Sequence, residues 1–366
     1  MDVKAKNYIA ISTLLYFITQ YLGPYYPIYL IDQGISLYTL STFRSIQLIS
    51  NTFSRLLIGF ISYKHNKLLL ISLGILLNAL GFSLLLMYPS LFSFILIGTG
   101  DALISIYLFV YISEAEIKER DKAFHLSRVF SSIAGVLAGM VGSFVSSPLT
   151  IILSASIVLY LTSLTLTLYS RNQEKIINTY NTINILNIEK LKENIFSIFS
   201  RNVILYIFIN ILIYFSFNYF IYTWPIFMKN LGFHEKDLGL FLSIMIIILN
   251  SGTLFSYKIN LDTKNKLYIA FSILAISFIL IVNGIFIGVL FFEFAWGIIS
   301  PNLNLLASII IRSDYRLPIL SISSFIYNSA ISLLLLLLGS SNSLILPYFI
   351  SFIFSLVSIV CLIFIK

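Results

Sequence analysis

The chain has 366 residues, 58% of them hydrophobic and only 10% charged, with 23 Lys and Arg against 15 Asp and Glu and a mean hydropathy of +0.96. A soluble chain carries about 25% charged residues, so this composition excludes a water-soluble globular protein and makes lipid the natural solvent. The net charge of +8 invites a nucleic-acid reading, which the placement of the charges argues against below.

A hydrocarbon core about 30 Å thick needs roughly 20 apolar residues per helix. In chain order twelve runs qualify, at 8–31, 37–62, 68–88, 91–113, 123–146, 148–169, 202–228, 236–257, 266–283, 284–310, 317–338 and 343–365. The expected fold is therefore all-α and polytopic, with twelve transmembrane helices. No charge separates the two runs within 266–310. "MDVKAKN" leads straight into a span too long for a signal-peptide core, so no cleavable signal is expected. The single cysteine, Cys361, lies in the last span and forms no intrachain disulfide.

With the amino terminus placed in the cytoplasm, almost every Lys and Arg falls on the cytoplasmic side. The exceptions are Lys229 and Lys236 outside, and Arg44 and Arg55 within spans. The positive-inside rule then puts both termini in the cytoplasm. The basicity is topological, and no nucleic-acid partner is expected.

Connections between spans are short except 170–201, which is polar. Within it Ile188, Leu191, Ile195 and Phe199 recur at helical spacing, with Glu189, Lys190, Lys192 and Glu193 opposite, the pattern of a helix lying in the headgroup region. It reads as a cytoplasmic linker between residues 1–169 and residues 202–366, each a six-helix bundle. A short phrase supports the division: "PIYLIDQGIS" at 27–36 returns as "PIFMKNLGFH" at 225–234, closing the first helix of each half. Asn51 and Asn250 stand at nearly the same offset. Six helices is an even number, so the halves are expected to be parallel repeats.

The loop between the second and third spans, "GFISYKHNK", matches the form G-x-x-[SA]-D-[RK]-x-G-[RK] at Gly59, Ser62, Lys64 and Lys67, with Tyr63 in place of the Asp and Asn66 in place of the second Gly. The stretch "ERDKAFHLSRVFSSIAGVLAG" has the E-R-x-x-A entry to a fifth helix, followed by Gly135, Gly139 and Gly142. On these motifs and the twelve-span layout the chain resembles the major facilitator superfamily of secondary transporters. The resemblance implies two pseudo-symmetric bundles that alternate access to a central site. It also implies a gating loop at Gly59, Lys64 and Lys67, with Glu114 as a partner for Lys64.

Charges inside the spans stand out: Arg44, Arg55, Asp101 and Glu293. Each costs roughly 2.5–3.5 kcal/mol at a helix centre. Arg44, Asp101 and Glu293 lie about seven, ten and nine residues into helices that run the same way, which puts all three near mid-membrane at about 1.5 Å per residue. Arg44, Gln47, Asn51 and Arg55 share one face of the second span. Asn210, Tyr214, Asn218 and Tyr222 recur every fourth residue in the seventh, and Tyr16 and Gln20 stand in the first. The expected site is a polar, tyrosine-rich cavity. Its substrate residues are Arg44, Gln47, Asn51, Tyr16, Gln20, Asn210, Tyr214 and Asn218, and Asp101 or Glu293 carries a coupling proton. Plainer readings stand beside this. Asp101 can be a structural partner of Arg44, Glu293 a permanently hydrogen-bonded side chain, and the seventh-span stripe packing glue. Tyr21, Tyr25, Tyr26, Tyr219 and Trp224 read as an aromatic belt.

The three histidines, His65, His125 and His234, fall in loops on different sides, so no metal site is expected. No nucleotide-binding Gly-rich loop appears, and no cofactor is expected. The reading is thus a monomeric secondary transporter of the plasma membrane, moving a small polar or anionic organic solute with protons or another coupling ion, surrounded by membrane lipids. The alternatives are a membrane-embedded enzyme on lipid-linked substrates, and a sensor or assembly protein of the same fold.

Overall fold

The computed structural model describes residues 2–61, 66–113, 117–145, 147–174, 200–310 and 316–365, and these are helical apart from short connections. The helices are α1 (Val3–Leu22), α2 (Tyr25–Asp32), α3 (Leu37–Ile61), α4 (Lys67–Met87), α5 (Leu91–Ser113), α6 (Ile117–Phe144), α7 (Pro148–Glu174), α8 (Arg201–Asn230), α9 (Glu235–Lys258), α10 (Thr263–Val282), α11 (Ile287–Ile310), α12 (Arg316–Gly339) and α13 (Ile345–Phe364). Among the described residues nine helices are long and apolar enough to cross a membrane. The interfacial helix expected at 188–199 lies outside the described residues.

The first expected span is two helices rather than one. Pro24 has no N–H and its ring conflicts with the carbonyl four residues back, so α1 stops at Leu22 and α2 begins at Tyr25. The helix α8, which carries the second copy of the phrase, has one proline, Pro225, and runs through it for 30 residues. The repeated phrase itself is a helix ending. Gly34 and Gly232 both take a positive φ, 83° and 90°. The residue after each donates to the carbonyl five residues back, Ile35 to Leu30 and Phe233 to Met228. This closes the last turn in a conformation where a Cβ is costly. The uncharged boundary within 266–310 ends the same way, at Gly284.

The chain divides into two compact units, Met1–Ile183 with His234–Ser243, and Asn184–Phe233 with Ile244–Lys366. In the first, α4 packs on α5 and α7, α3 on α5, and α1 on α6. In the second, α10 packs on α11 and α13, and α8 on α12 and α13. The closest crossings use glycine in both. A Cβ on Gly98 of α5 would collide with the α3 backbone at Gln47 and Asn51, and one on Gly297 of α11 would collide with α9 at Leu249 and Thr253. Within the first unit, the opening turns of α9 meet α6 where a Cβ on Gly139 would fall 2.5 Å from the Gly239 carbonyl.

Two helices show serine and alanine turned inward and large apolar side chains turned outward, an arrangement that lipid solvent permits. On α7, Leu153, Ile157, Leu161, Leu164 and Leu168 are exposed, while Ala155, Ser156 and Ser163 are buried. On α13, Ser351, Ser355 and Ser358 are fully buried against exposed Phe349, Ile353, Leu356 and Val360. Lipid tails gain nothing from hiding leucine, so close backbone approach and hydrogen bonds join the helices instead. Ser72 of α4 donates to the Ser163 carbonyl of α7 at 2.7 Å. Ser12 of α1 meets Ser127 of α6 at 2.6 Å. Thr223 of α8 meets Tyr348 of α13 at 2.7 Å.

Adding a side chain at a glycine crossing should therefore cost more than surface position alone predicts. Gly98→Val is expected to destabilise by about 1–3 kcal/mol through overpacking, read as a lower thermal midpoint of the purified protein in detergent. An unchanged midpoint would mean that α3 and α5 do not touch there.

Candidate functional site

Asp101 follows the "GTG" of α5, and each glycine of that triplet makes room on one side. Gly98 admits α3, and Gly100 admits α4, since a Cβ there would fall 2.6 Å from the Gly74 carbonyl. The two neighbouring helices then deliver one amide each to the carboxylate. Gln47 Nε2 of α3 donates to Asp101 Oδ2 at 3.2 Å, and Asn78 Nδ2 of α4 donates to Oδ1 at 2.9 Å. One turn before Gln47, Arg44 Nη1 donates to Gln47 Oε1 at 2.8 Å. Arg44, Gln47, Asp101 and Asn78 thus form one hydrogen-bonded chain across three helices, with Gln47 relaying between the cation and the carboxylate.

Tyr26 of α2 lies within electrostatic reach of both Arg44 and Asp101, and Arg55 within reach of Asp101. The polar seam continues along the α3–α5 contact. Ser50 donates to the Ile95 carbonyl at 3.0 Å, and Ser54 donates to Thr99 at 3.2 Å. The energetics of the cluster are close to balance. A hydrogen bond to a charged group contributes about 1.5–3 kcal/mol, so the two amides on Asp101 offset the roughly 2.5–3.5 kcal/mol cost of a charge at a helix centre. Asp101 is held without needing a ligand.

Glu293 of α11, in the second unit, has a different setting. It is 9% exposed and makes no hydrogen bond or ion pair with another described residue. Its helix neighbours belong to an aromatic cluster. Trp296, one turn on, stacks on Phe217 with centroids 3.9 Å apart and meets the edge of Tyr214 at 5.4 Å. Tyr214 in turn stacks on Tyr327 of α12 at 5.4 Å, and Phe292 stacks on Phe220 at 3.6 Å. Such rings offer packing and quadrupoles but no strong donor for a carboxylate.

The other expected residues are spread through the two units. Asn51 sits on α3 with its backbone N–H against Gly98. Tyr16 and Gln20 of α1 are partly buried. Asn210 and Asn218 of α8 are buried, and each donates to a carbonyl four residues back, Tyr206 at 2.6 Å and Tyr214 at 2.9 Å. Gly59 lies in the last turn of α3 and Lys67 opens α4, while Lys64 and Glu114 lie outside the described residues. Asn66, standing where the family pattern has glycine, caps α4 by accepting from the Leu68 and Leu69 N–H groups. Among the described residues no three His, Cys, Asp or Glu side chains gather as metal ligands.

Two members of the cluster escaped sequence reasoning. Asn78 is a lone amide in the apolar run "LLLISLGILLNALGF", about as deep as Asp101, and that isolation was the available clue. Tyr26 was grouped with the aromatic belt because its neighbours Tyr21 and Tyr25 masked it. Belt and site residues look alike in one dimension.

A family model described as Major Facilitator Superfamily matches residues 9–335. The chain is similar in structure to a crystal structure of the nucleoside transporter NupG, at 15% identity and a TM-score of 0.73, covering 98% of this chain and 99% of that one. It is also similar to the POT family transporter PepTSo, at 12% identity and a TM-score of 0.73, covering 99% and 97% respectively. At these identities the likeness shows the fold. No curated protein matches by sequence.

The relay predicts strong coupling within the Asp101 cluster. Gln47→Ala and Asn78→Ala are each expected to destabilise by about 1–3 kcal/mol while Asp101 is present, and by much less in an Asp101→Leu background. A double-mutant cycle on thermal or denaturant unfolding measures this, and additive effects would remove the two amides as partners of the carboxylate.

Proposed function

This chain belongs to the Major Facilitator Superfamily, whose members are secondary transporters rather than enzymes, and we propose that it moves a small polar or anionic organic solute in exchange or cotransport with protons. The observation that carries this reading is the hydrogen-bonded chain Arg44–Gln47–Asp101–Asn78 inside an otherwise apolar bundle. Arg44 is its cationic end, and a guanidinium offers a planar fork of donors suited to a carboxylate or phosphate. Gln47 orients the guanidinium, and Asp101 with Asn78 holds Gln47. Tyr26 stands beside both charges. Tyr16, Gln20 and Asn51 from the first unit, and Asn210, Tyr214 and Asn218 from the second, are the further candidates for solute contact. Gly59, Lys64, Lys67 and Glu114 are proposed as the loop that governs access, and both termini are placed on the cytoplasmic side of the plasma membrane by the distribution of Lys and Arg.

The coupling proton is assigned to Glu293 in preference to Asp101. Each Asp101 oxygen already accepts a charge-assisted hydrogen bond from an amide, so a proton arriving there weakens both bonds by removing the charge that strengthens them. The Glu293 carboxyl has no such partner among the described residues, and a proton can bind and leave without weakening a network there. Access to Glu293 from each side in turn would then tie proton movement to solute movement.

Two variants test these roles separately in proteoliposomes. Glu293→Gln is expected to abolish accumulation driven by a pH gradient while solute exchange across the membrane continues; accumulation at the wild-type rate would remove Glu293 from coupling. For Arg44→Ala the expectation is loss of solute binding by tenfold or more, seen as the disappearance of ligand-induced thermal stabilisation in a metabolite panel. Normal affinity in that variant would leave Arg44 as a structural charge only.

A further inference from the structure

Beside α1 and α6 of the first unit runs an open groove of about 550 Å³ whose walls are almost wholly apolar. Ala10 and Phe17 of α1 and Phe130 and Leu137 of α6 line it, and Lys6 stands at one end. Phe130 and Leu137 are 46% and 50% exposed, so the slot opens to its surroundings along its length. Thr13 on the same wall has a buried hydroxyl with no hydrogen-bond partner among the described residues. None of these residues belongs to the Asp101 cluster.

We propose that this groove holds one acyl chain of an anionic phospholipid whose phosphate pairs with Lys6. Three features fit that occupant. Apart from the Thr13 hydroxyl the walls give a polar solute nothing to bind along their length, whereas a hydrocarbon chain fills them. From Lys6 to Phe17 the helix advances about 16 Å, close to the half-thickness of a hydrocarbon core about 30 Å deep. The single cation sits at the mouth, on the side that the basic connections assign to the cytoplasm, where the leaflet is anionic. Lys6 is exposed and makes no ion pair with another described residue. The nearby acid Glu119 accepts a hydrogen bond from the Asp2 backbone N–H at 3.0 Å. A lipid seated here would brace α1 against α6, which touch directly through Ser12 and Ser127.

Native mass spectrometry of the full chain in detergent, with dioleoyl phosphatidylglycerol or dioleoyl phosphatidylcholine added, tests the proposal. The wild-type protein is expected to retain one phosphatidylglycerol about fivefold more tightly than phosphatidylcholine, the preference that one lysine near an anionic surface supplies. Lys6→Gln should bring the two lipids level. Ala10→Trp, which fills the slot from its exposed side, should lose both. Ile49→Trp, a substitution at an exposed position on α3, should behave as wild type and controls for a bulky ring. Equal retention of both lipids by the wild type would overturn the proposal, as would undiminished phosphatidylglycerol on Ala10→Trp. A dimer abolished by Ala10→Trp with lipid retention unchanged would overturn it in favour of a second copy of the chain.

Discussion

Hydrocarbon offers no hydrogen bonds, and that constraint shapes everything from backbone to site. Each N–H and C=O inside the membrane must find a partner within the chain, which leaves helices as the structural unit here. Most buried polar side chains do the same. Asp101 meets the requirement through Gln47 and Asn78, and Asn302 of α11 through Ser256 at 2.6 Å and its own helix. Many buried polar residues in this protein therefore mark a helix contact, as Asn78 does on α5.

The same solvent removes the usual reason for helices to cluster. With leucine equally content in lipid, association falls to van der Waals contact and hydrogen bonding, and both require backbones to come close. Glycine makes the approach possible where Gly98 of α5 meets α3 and Gly297 of α11 meets α9, and serine ties the α4–α7 pair. That the same kind of crossing recurs in each unit gives the repeated phrase a physical meaning. Gly34 and Gly232 end corresponding helices with the same left-handed turn, so two stretches of chain enter the next span alike.

Two carboxylates in apolar surroundings have been settled in opposite ways. Asp101 accepts one amide hydrogen bond on each oxygen, whereas Glu293, whose helix neighbours Phe292 and Trp296 stack in an aromatic cluster, accepts none from the described residues. The first arrangement suits a fixed anchor that keeps Arg44 and Gln47 in place. The second suits a group whose partner comes and goes. The energetic distinction is whether binding a proton removes the charge that strengthens existing hydrogen bonds, because a bond to a charged group contributes about 1.5–3 kcal/mol and a neutral one about 0.5–1.5.

Much of this was legible in one dimension because lipid imposes a one-dimensional code. Run length gave helix placement, and the motif at 59–67 pointed to the superfamily. The stripe Arg44–Gln47–Asn51–Arg55 showed a polar face, because i, i+3 and i+4 residues are neighbours on any helix. The break at Gly23–Pro24 was also written in the chain, though a hydropathy window averages across it. What the sequence could not determine was which helix stands beside which. Asn78 is 23 residues from Asp101 and Gln47 is 54 residues from it, and no periodicity connects positions on separate helices. Only the crossing of α3 and α4 on α5, permitted by two missing Cβ atoms at Gly98 and Gly100, decided that these amides share one carboxylate.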